Sequence, residues 1–327
     1  MTPRIVSLTL NPCLDLAAEA EHVWPTHKVR TDHEHTDPGG GGVNVSRVVH
    51  VLGGDTLAVM LTGGAPGRVL NELVDDGGVA RRSIPVVGKT RISLNVLDRS
   101  SGLEYRFVPE GPTVTDAEWQ TVLDVLSEID ADWLIASGSL PAGLPVDAYA
   151  QVAQLAAQRG HRFVLDTHGK PLRAALHHGI TLLKPSLGEL EGLLGRKLPD
   201  PRMQEAEAMA LVREGAADMV AVSLGEDGAL LATRDGVLRM ASPPIRVQTA
   251  VGAGDSFLGA MVLAMAQKRS AEEALRWGMA AGAAAIVCGG TARLTRSEFE
   301  ARYEALAKEH CITHVYRDPE AVLAAMG

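Results

Sequence analysis

The sequence predicts a three-layer α/β/α fold with a mostly parallel sheet and a small β lid. Short runs rich in β-branched residues alternate with longer stretches of helical period, the pattern of a sheet covered by helices on both faces. Apolar residues make up 46% of the chain but aromatics only 4%, so the core must be built from Val, Leu, Ala and Ile, as parallel sheets are. One region, between residues 88 and 110, breaks the alternation.

In chain order, the strands are expected at Ile5–Leu10, Thr56–Leu61, Trp133–Ala136, Arg162–Asp166, Thr181–Leu183, Met219–Ser223 and Ala229–Thr233. Helical periodicity places helices at Val43–Leu52, Arg68–Asp75, Asp116–Ile129, Val146–Gln158, Met203–Glu214 and Phe257–Gln267. Two further amphipathic helices, Ser297–Lys308 and Pro319–Met326, flank Ile312–Tyr316 near the C-terminus. Arg91–Leu97 and Leu103–Val108 read as strands joined by the turn-rich Asp98–Gly102. With Val23–His35, which has no helical period, they are expected to form a small antiparallel sheet outside the main one; an ordinary edge hairpin fits the pattern equally well. The 327 residues therefore read as one domain, 1–327, with lid segments at about 12–36 and 88–110.

Charge and cysteine usage narrow the function. A formal net charge of −9 argues against a nucleic-acid partner, because phosphate backbones are met by basic faces. Cys13, Cys288 and Cys311 are far apart and form no CxxC pair, so a disulfide framework or zinc site is not expected and a reducing, cytoplasmic setting is. The N-terminus shows no signal peptide, and no run is long and apolar enough to span a membrane. His33/His35 and His177/His178 are clustered, but no carboxylate or cysteine pattern completes a metal site around them.

The most informative segment is Thr249-Ala250-Val251-Gly252-Ala253-Gly254-Asp255-Ser256, between a β-like run, Ile245–Gln248, and a helical one. Small residues at Gly252, Ala253 and Gly254 let backbone N–H groups converge at a helix start, where the dipole favours an anion such as a transferring phosphoryl group. Asp255, at the edge of that loop, suits a general base that takes the proton of a hydroxyl nucleophile. Its spacing fits a helix-capping aspartate as well. Gly88-Lys89-Thr90 imitates the end of a P-loop but lacks the required glycine at Ser83, and a GxGxxG fingerprint would need glycine at Phe257.

The second signal is Pro38-Gly39-Gly40-Gly41-Gly42-Val43-Asn44. Four glycines running into a helix let a ligand approach the backbone, and Asn44 offers both a donor and an acceptor to a polyol.

With both loops in view, the chain resembles the PfkB (ribokinase-like) carbohydrate kinase family, from about Thr9 to Thr291. Within it the likeness is greatest to the branch acting on ketohexose phosphates, the 6-phosphofructokinases, 1-phosphofructokinases and tagatose-6-phosphate kinases. That likeness is carried by Thr9-Leu10-Asn11-Pro12-Cys13-Leu14-Asp15, Lys89-Thr90-Arg91, Tyr105-Arg106-Phe107, Ser137-Gly138-Ser139-Leu140-Pro141, Leu183-Lys184-Pro185 and Val222-Ser223-Leu224-Gly225. The resemblance implies a ribokinase-like fold and ATP-dependent phosphorylation of a sugar phosphate, with fructose 6-phosphate the first expectation and fructose 1-phosphate and tagatose 6-phosphate the alternatives. A weakly active sugar-phosphate sensor is the rival from another class.

The roles it implies fall on matching residues. Asp15, Gly40, Gly41, Gly42 and Asn44 would bind sugar hydroxyls. Lys28, Arg30 and Arg91, with Ser139, would gather around the substrate's phosphate, which needs concentrated positive charge. Lys184, Ser186 and the turn Ser223-Leu224-Gly225-Glu226-Asp227-Gly228 would hold the nucleotide, and Glu189 would serve Mg²⁺. Potassium near Thr249 and Val251, and a homodimer built through the lid, are further implications. Two departures from the family pattern stand out. Ser186 replaces the asparagine of an N-x-x-E motif, which implies an altered Mg²⁺ dependence, and Ala250 stands where relatives often carry threonine. Cys288-Gly289 lies in a stretch that helps form the monovalent-cation site of relatives.

Overall fold

The computed structural model describes residues 4–242, 252–288, 294–308 and 312–315. Among these, the main sheet has ten strands in the order β14-β13-β12-β11-β10-β9-β8-β1-β4-β5. The seven from β11 to β5 run parallel: β1 (Arg4–Thr9), β4 (Asp55–Thr62), β5 (Ala80–Pro85), β8 (Trp133–Ser137), β9 (Arg162–Asp166), β10 (Ile180–Leu183) and β11 (Met219–Ser223). Strands β12 (Ala229–Thr233), β13 (Gly236–Met240) and β14 (Ile312–Val315) extend it antiparallel.

Alternation along the strands sorts the core into two layers. Val6, Leu8, Leu134, Ala136, Phe163, Leu165, Val220 and Val222 face one way. That side is covered by α3 (Asp116–Glu128), α4 (Ala148–Gln158), α5 (Gly169–Ala175), α6 (Leu187–Leu194) and α7 (Pro201–Arg213). Ile5, Trp133, Ile135, Val164, Leu182 and Ala221 face the other way, against α1 (Gly41–Val51), α8 (Ala253–Ala266), α9 (Ala271–Cys288) and α10 (Arg296–Lys308). The helix starts follow local chemistry. Thr115 and Glu118 form a capping box on α3, and Asp200 caps α7 with Pro201 in its first turn.

A separate four-stranded sheet carries the lid, in the order β3-β2-β6-β7, from β2 (Cys13–Ala20), β3 (Asp32–Gly39), β6 (Arg91–Asp98) and β7 (Leu103–Phe107). The antiparallel expectation is corrected at its centre, because β2 and β6 pair in parallel, Cys13 beside Arg91 and Asp15 beside Ser93. Their connection passes through α1, β4, α2 (Gly64–Asp76) and β5, long enough for a parallel crossover. The segment Val23–His35 is not one strand: residues 21–31 form the exposed tip between β2 and β3. One side of this sheet shows Ile92, Leu94, Leu103, Tyr105 and Phe107 to solvent, Phe107 being 57% exposed.

Candidate active site

The carboxyl ends of β1, β8, β9, β10 and β11 open toward the starts of α1 and α8, where ligands of open α/β sheets bind. Gly252 precedes α8 in the left-handed region, at φ 77°, a conformation that favours glycine. The N-cap position of α8 is Gly252, and Asp255 stands inside the first turn, so Asp255 is not the N-cap residue. The segment Ile245–Val251, with Thr249, Ala250 and Val251, lies outside the described residues, as do Gly289, Cys311 and Pro319–Met326.

Asn44, in the first turn of α1, donates from Nδ2 to Asp255 Oδ2 at 2.8 Å. Burial, then the neighbouring charge of Asp166, pushes the Asp255 carboxyl up to about 7, against the pull of Asn44 and Lys184. A carboxylate of that basicity suits proton abstraction near neutrality.

The glycine run is tight for reasons internal to the protein. A Cβ on Gly41 would lie 2.1 Å from Ser137 Oγ, and one on Gly42 would lie 2.7 Å from the Leu8 carbonyl oxygen. Gly41 and Gly42 thus let α1 start directly against the ends of β1 and β8. Gly40 takes φ 113°, open to glycine.

Lys184 follows β10 and forms a buried ion pair with Asp166, at the end of β9, at 3.2 Å. Its ammonium is adjacent to the α8 start, since a Cβ on Gly254 would be 3.4 Å from Nζ. Burial alone would lower the lysine, but Asp166, Glu189 and Asp255 together hold it charged. Ser186 and Glu189 form a capping box on α6, with Glu189 Oε2 accepting from the Ser186 N–H at 2.7 Å. A bridge joins Ser186 to Ser223, and the Ser223 N–H donates to the Pro185 carbonyl at 3.1 Å. Beyond Ser223 the chain turns through Gly225–Asp227, whose exposed residues Gly225, Glu226 and Asp227 form a rim. Leu224 is buried below it, and Gly228, at φ 99°, closes the turn against Met240. Lys184, Ser186, Glu189 and the 223–228 turn therefore lie together beyond the ends of β10 and β11.

The other side is the lid. Asp15 projects from β2, and burial holds its carboxyl above its ordinary range against the pull of Cys13, Arg91 and Arg106. Arg91 Nη2 donates to the Asn11 carbonyl at 2.9 Å and Nη1 to that of Pro109 at 3.0 Å. The Asn11 amide in turn reaches Ser139 Oγ at 3.2 Å. Arg91, Asn11 and Ser139 are thus one connected group.

A family model described as pfkB family carbohydrate kinase matches residues 8–297. The chain belongs to that family. It is 39% identical to the ATP-dependent 6-phosphofructokinase isozyme 2 of Mycobacterium tuberculosis over 327 residues, covering 98% of this chain and 96% of the relative. It is 30% identical to the 1-phosphofructokinase of Bacillus subtilis, covering 86% and 91%. The crystal structure of phosphofructokinase-2 from Escherichia coli in complex with potassium superposes with a TM-score of 0.89 at 37% identity, covering 93% of this chain and 99% of the other.

Two of the cations assigned from sequence to the phosphate of this pfkB-family kinase lie apart from the third in a single chain. Lys28 and Arg30 do not join Arg91: both are exposed in the tip loop, roughly 20 Å of strand from Cys13. The tip is tied down there by Asp98, which accepts from the Val23 N–H at 3.1 Å, and by Arg99, which holds Asp32 and Glu19. The same folding brings Glu19 and Asp32 beside His33, so carboxylates do approach that histidine, but Arg99 already pairs with both. Three residues now placed at the site carried weaker signals. Asp166 ends a parallel strand, Cys13 sits inside the quoted N-terminal motif, and Arg106 lies in Tyr105-Arg106-Phe107.

Proposed function

We propose that this kinase transfers the γ-phosphoryl group of ATP to fructose 6-phosphate, giving fructose 1,6-bisphosphate, a glycolytic conversion. The observation that carries the chemistry is Asp255, raised to about 7 at the mouth of a glycine-opened helix and held by Asn44. Asp255 takes the proton of the sugar hydroxyl as that oxygen attacks, while the amides of Gly252, Ala253 and Gly254 meet the charge on the transferring group. Lys184 stands close enough to these glycines to neutralise phosphate charge. Asp15, Gly40, Gly41, Gly42 and Asn44 hold the sugar, and Arg91 with Ser139 meets its phosphate.

Magnesium fits the nucleotide side. The charges of Asp166, Glu189 and Asp255 all act on Lys184, an acidic surrounding of hard oxygen donors that suits a divalent cation. Glu189 and Asp166 would hold it, and bound there it would neutralise charge on the nucleotide phosphates. Potassium at the loop before Gly252 is supported by the E. coli relative solved with that ion.

The apolar lid face, with Leu94 and Phe107 paired across β6 and β7, supports a homodimer built through the lid. In such a pair Lys28 and Arg30 reach beyond their own site, so they would meet the substrate phosphate bound by the partner chain.

An ADP-release assay against fructose 6-phosphate, fructose 1-phosphate and tagatose 6-phosphate tests the proposal. Preference for fructose 6-phosphate upholds it. Preference for fructose 1-phosphate would support the second reading, which the B. subtilis relative favours, and silence across the panel would support the sensor.

A further inference from the structure

Cys13 and Asp15 are two residues apart on β2, so their side chains fall on the same face of the lid. The Cys13 thiol donates to Asp15 Oδ1 at 2.8 Å. The other oxygen, Oδ2, lies against Gly39, where a Cβ would come within 2.2 Å of it. Oδ1 is therefore engaged from within the strand, while the whole carboxyl occupies space that glycine leaves open, a Cβ on Gly39 coming within 2.7 Å of Oδ1 as well. Burial, then the Asp15 charge, holds the thiol far above its ordinary range, so sulfur keeps its proton and acts as a donor. The same hydrogen bond draws the Asp15 carboxyl down against the upward push of burial.

We propose that Cys13 is a positioning residue for sugar recognition, its S–H fixing the Asp15 carboxylate so that Oδ2 is presented to the hydroxyls of the ketose. The proposal rests on the assignment of Asp15 to sugar binding. A hydroxyl at position 13 keeps the function, because serine also donates from Cβ within hydrogen-bond reach. A methyl group does not.

The test compares Cys13→Ala, Cys13→Ser and Asp15→Asn in the full-length enzyme, with fructose 6-phosphate and ATP each varied. Cys13→Ala should raise KM for the sugar about threefold to tenfold, as expected for one lost hydrogen bond, with kcat within about twofold and KM for ATP unmoved. Cys13→Ser should restore KM. Equal defects in the alanine and serine variants would point to packing and overturn the proposal. So would a native KM in Cys13→Ala while Asp15→Asn raises it. A native KM in Asp15→Asn removes the sugar-binding role of Asp15, and the proposal falls with it. Should Cys13→Ala fail to fold, Cys13→Val, which fills the space without a donor, replaces it and should show the same rise in KM.

Discussion

Asn44 Nδ2 lies 2.8 Å from Asp255 Oδ2, joining the first turns of two helices whose residues are 211 positions apart in sequence. The bond ties the glycine-led start of α1 to the glycine-led start of α8, two helices that also pack together where Gly259 meets Val45 and Val48. Asn44 also favours the charged form of Asp255.

A pH prediction follows from that contact. Asp255 must be ionised to accept a proton, so kcat/KM should fall on the acid side through about pH 7. Asn44→Ala removes the donor that lowers Asp255 and should move this limb to higher pH. Asp255→Asn should cost about 10²–10⁴-fold in kcat with the circular-dichroism spectrum preserved. For stability the sign is opposite to that of an ordinary salt-bridged carboxylate. The folded state binds the Asp255 proton more tightly than the unfolded chain, so its contribution is full below pH 4 and is lost as pH rises toward about 7. Asp255→Asn should therefore raise Tm at pH 8 relative to native more than it does at pH 4.

Lys184 and Asp166 make a second prediction. Lys184 is buried and Asp166 largely so, and removing either partner leaves an uncompensated charge. Lys184→Met leaves Asp166 without its partner, with the charges of Glu189 and Asp255 nearby, and should cost about 3–5 kcal/mol in urea unfolding. Magnesium should restore part of that stability by supplying the missing positive charge, and KM for ATP should rise. Native urea stability in Lys184→Met would place the pair outside the structural core of the site.

Much of this fold was legible because the parallel strands announce themselves. Arg162–Asp166, Met219–Ser223 and Ala229–Thr233 are bounded as their apolar runs predict. The lid was harder. Cys13–Ala20 alternates weakly, and its parallel pairing with β6 depends on a partner more than 70 residues away, which local periodicity does not carry. At the site, Asp255, Asn44 and Lys184 were marked by motifs. Asp166 had only its place at a strand end, and the pairing of Lys184 with it is a tertiary fact. For Lys28 and Arg30 charge type was visible in the sequence, while the direction of the β2–β3 arm that carries them away from Arg91 was not.

Ser186 makes a third prediction. Its side chain caps α6 and pairs with Glu189 in a capping box. Asparagine is as favourable an N-cap as serine, so Ser186→Asn should keep the fold and Tm while its longer amide reaches further toward the nucleotide side. The Mg²⁺ concentration giving half-maximal rate should shift. Identical Mg²⁺ profiles for Ser186→Asn and the native enzyme would show the substitution to be silent.

The lid face and tip loop make the last prediction. Leu94 and Phe107 are cross-strand neighbours on an exposed apolar surface, so Leu94→Glu should reduce the sedimentation coefficient to that of a monomer. If Lys28 and Arg30 serve the partner's site, two inactive variants should complement each other. A Lys28→Ala/Arg30→Ala chain keeps its own Asp255 but offers no cations, whereas an Asp255→Asn chain offers cations but has no base. Mixed after unfolding and refolding together, half of the dimers pair one of each, and one of their two sites is complete. Activity should return to roughly a quarter of native in the mixture, with each parent alone far below it. A mixture no more active than the sum of its parents would show that the tip cations act within their own chain or not at all.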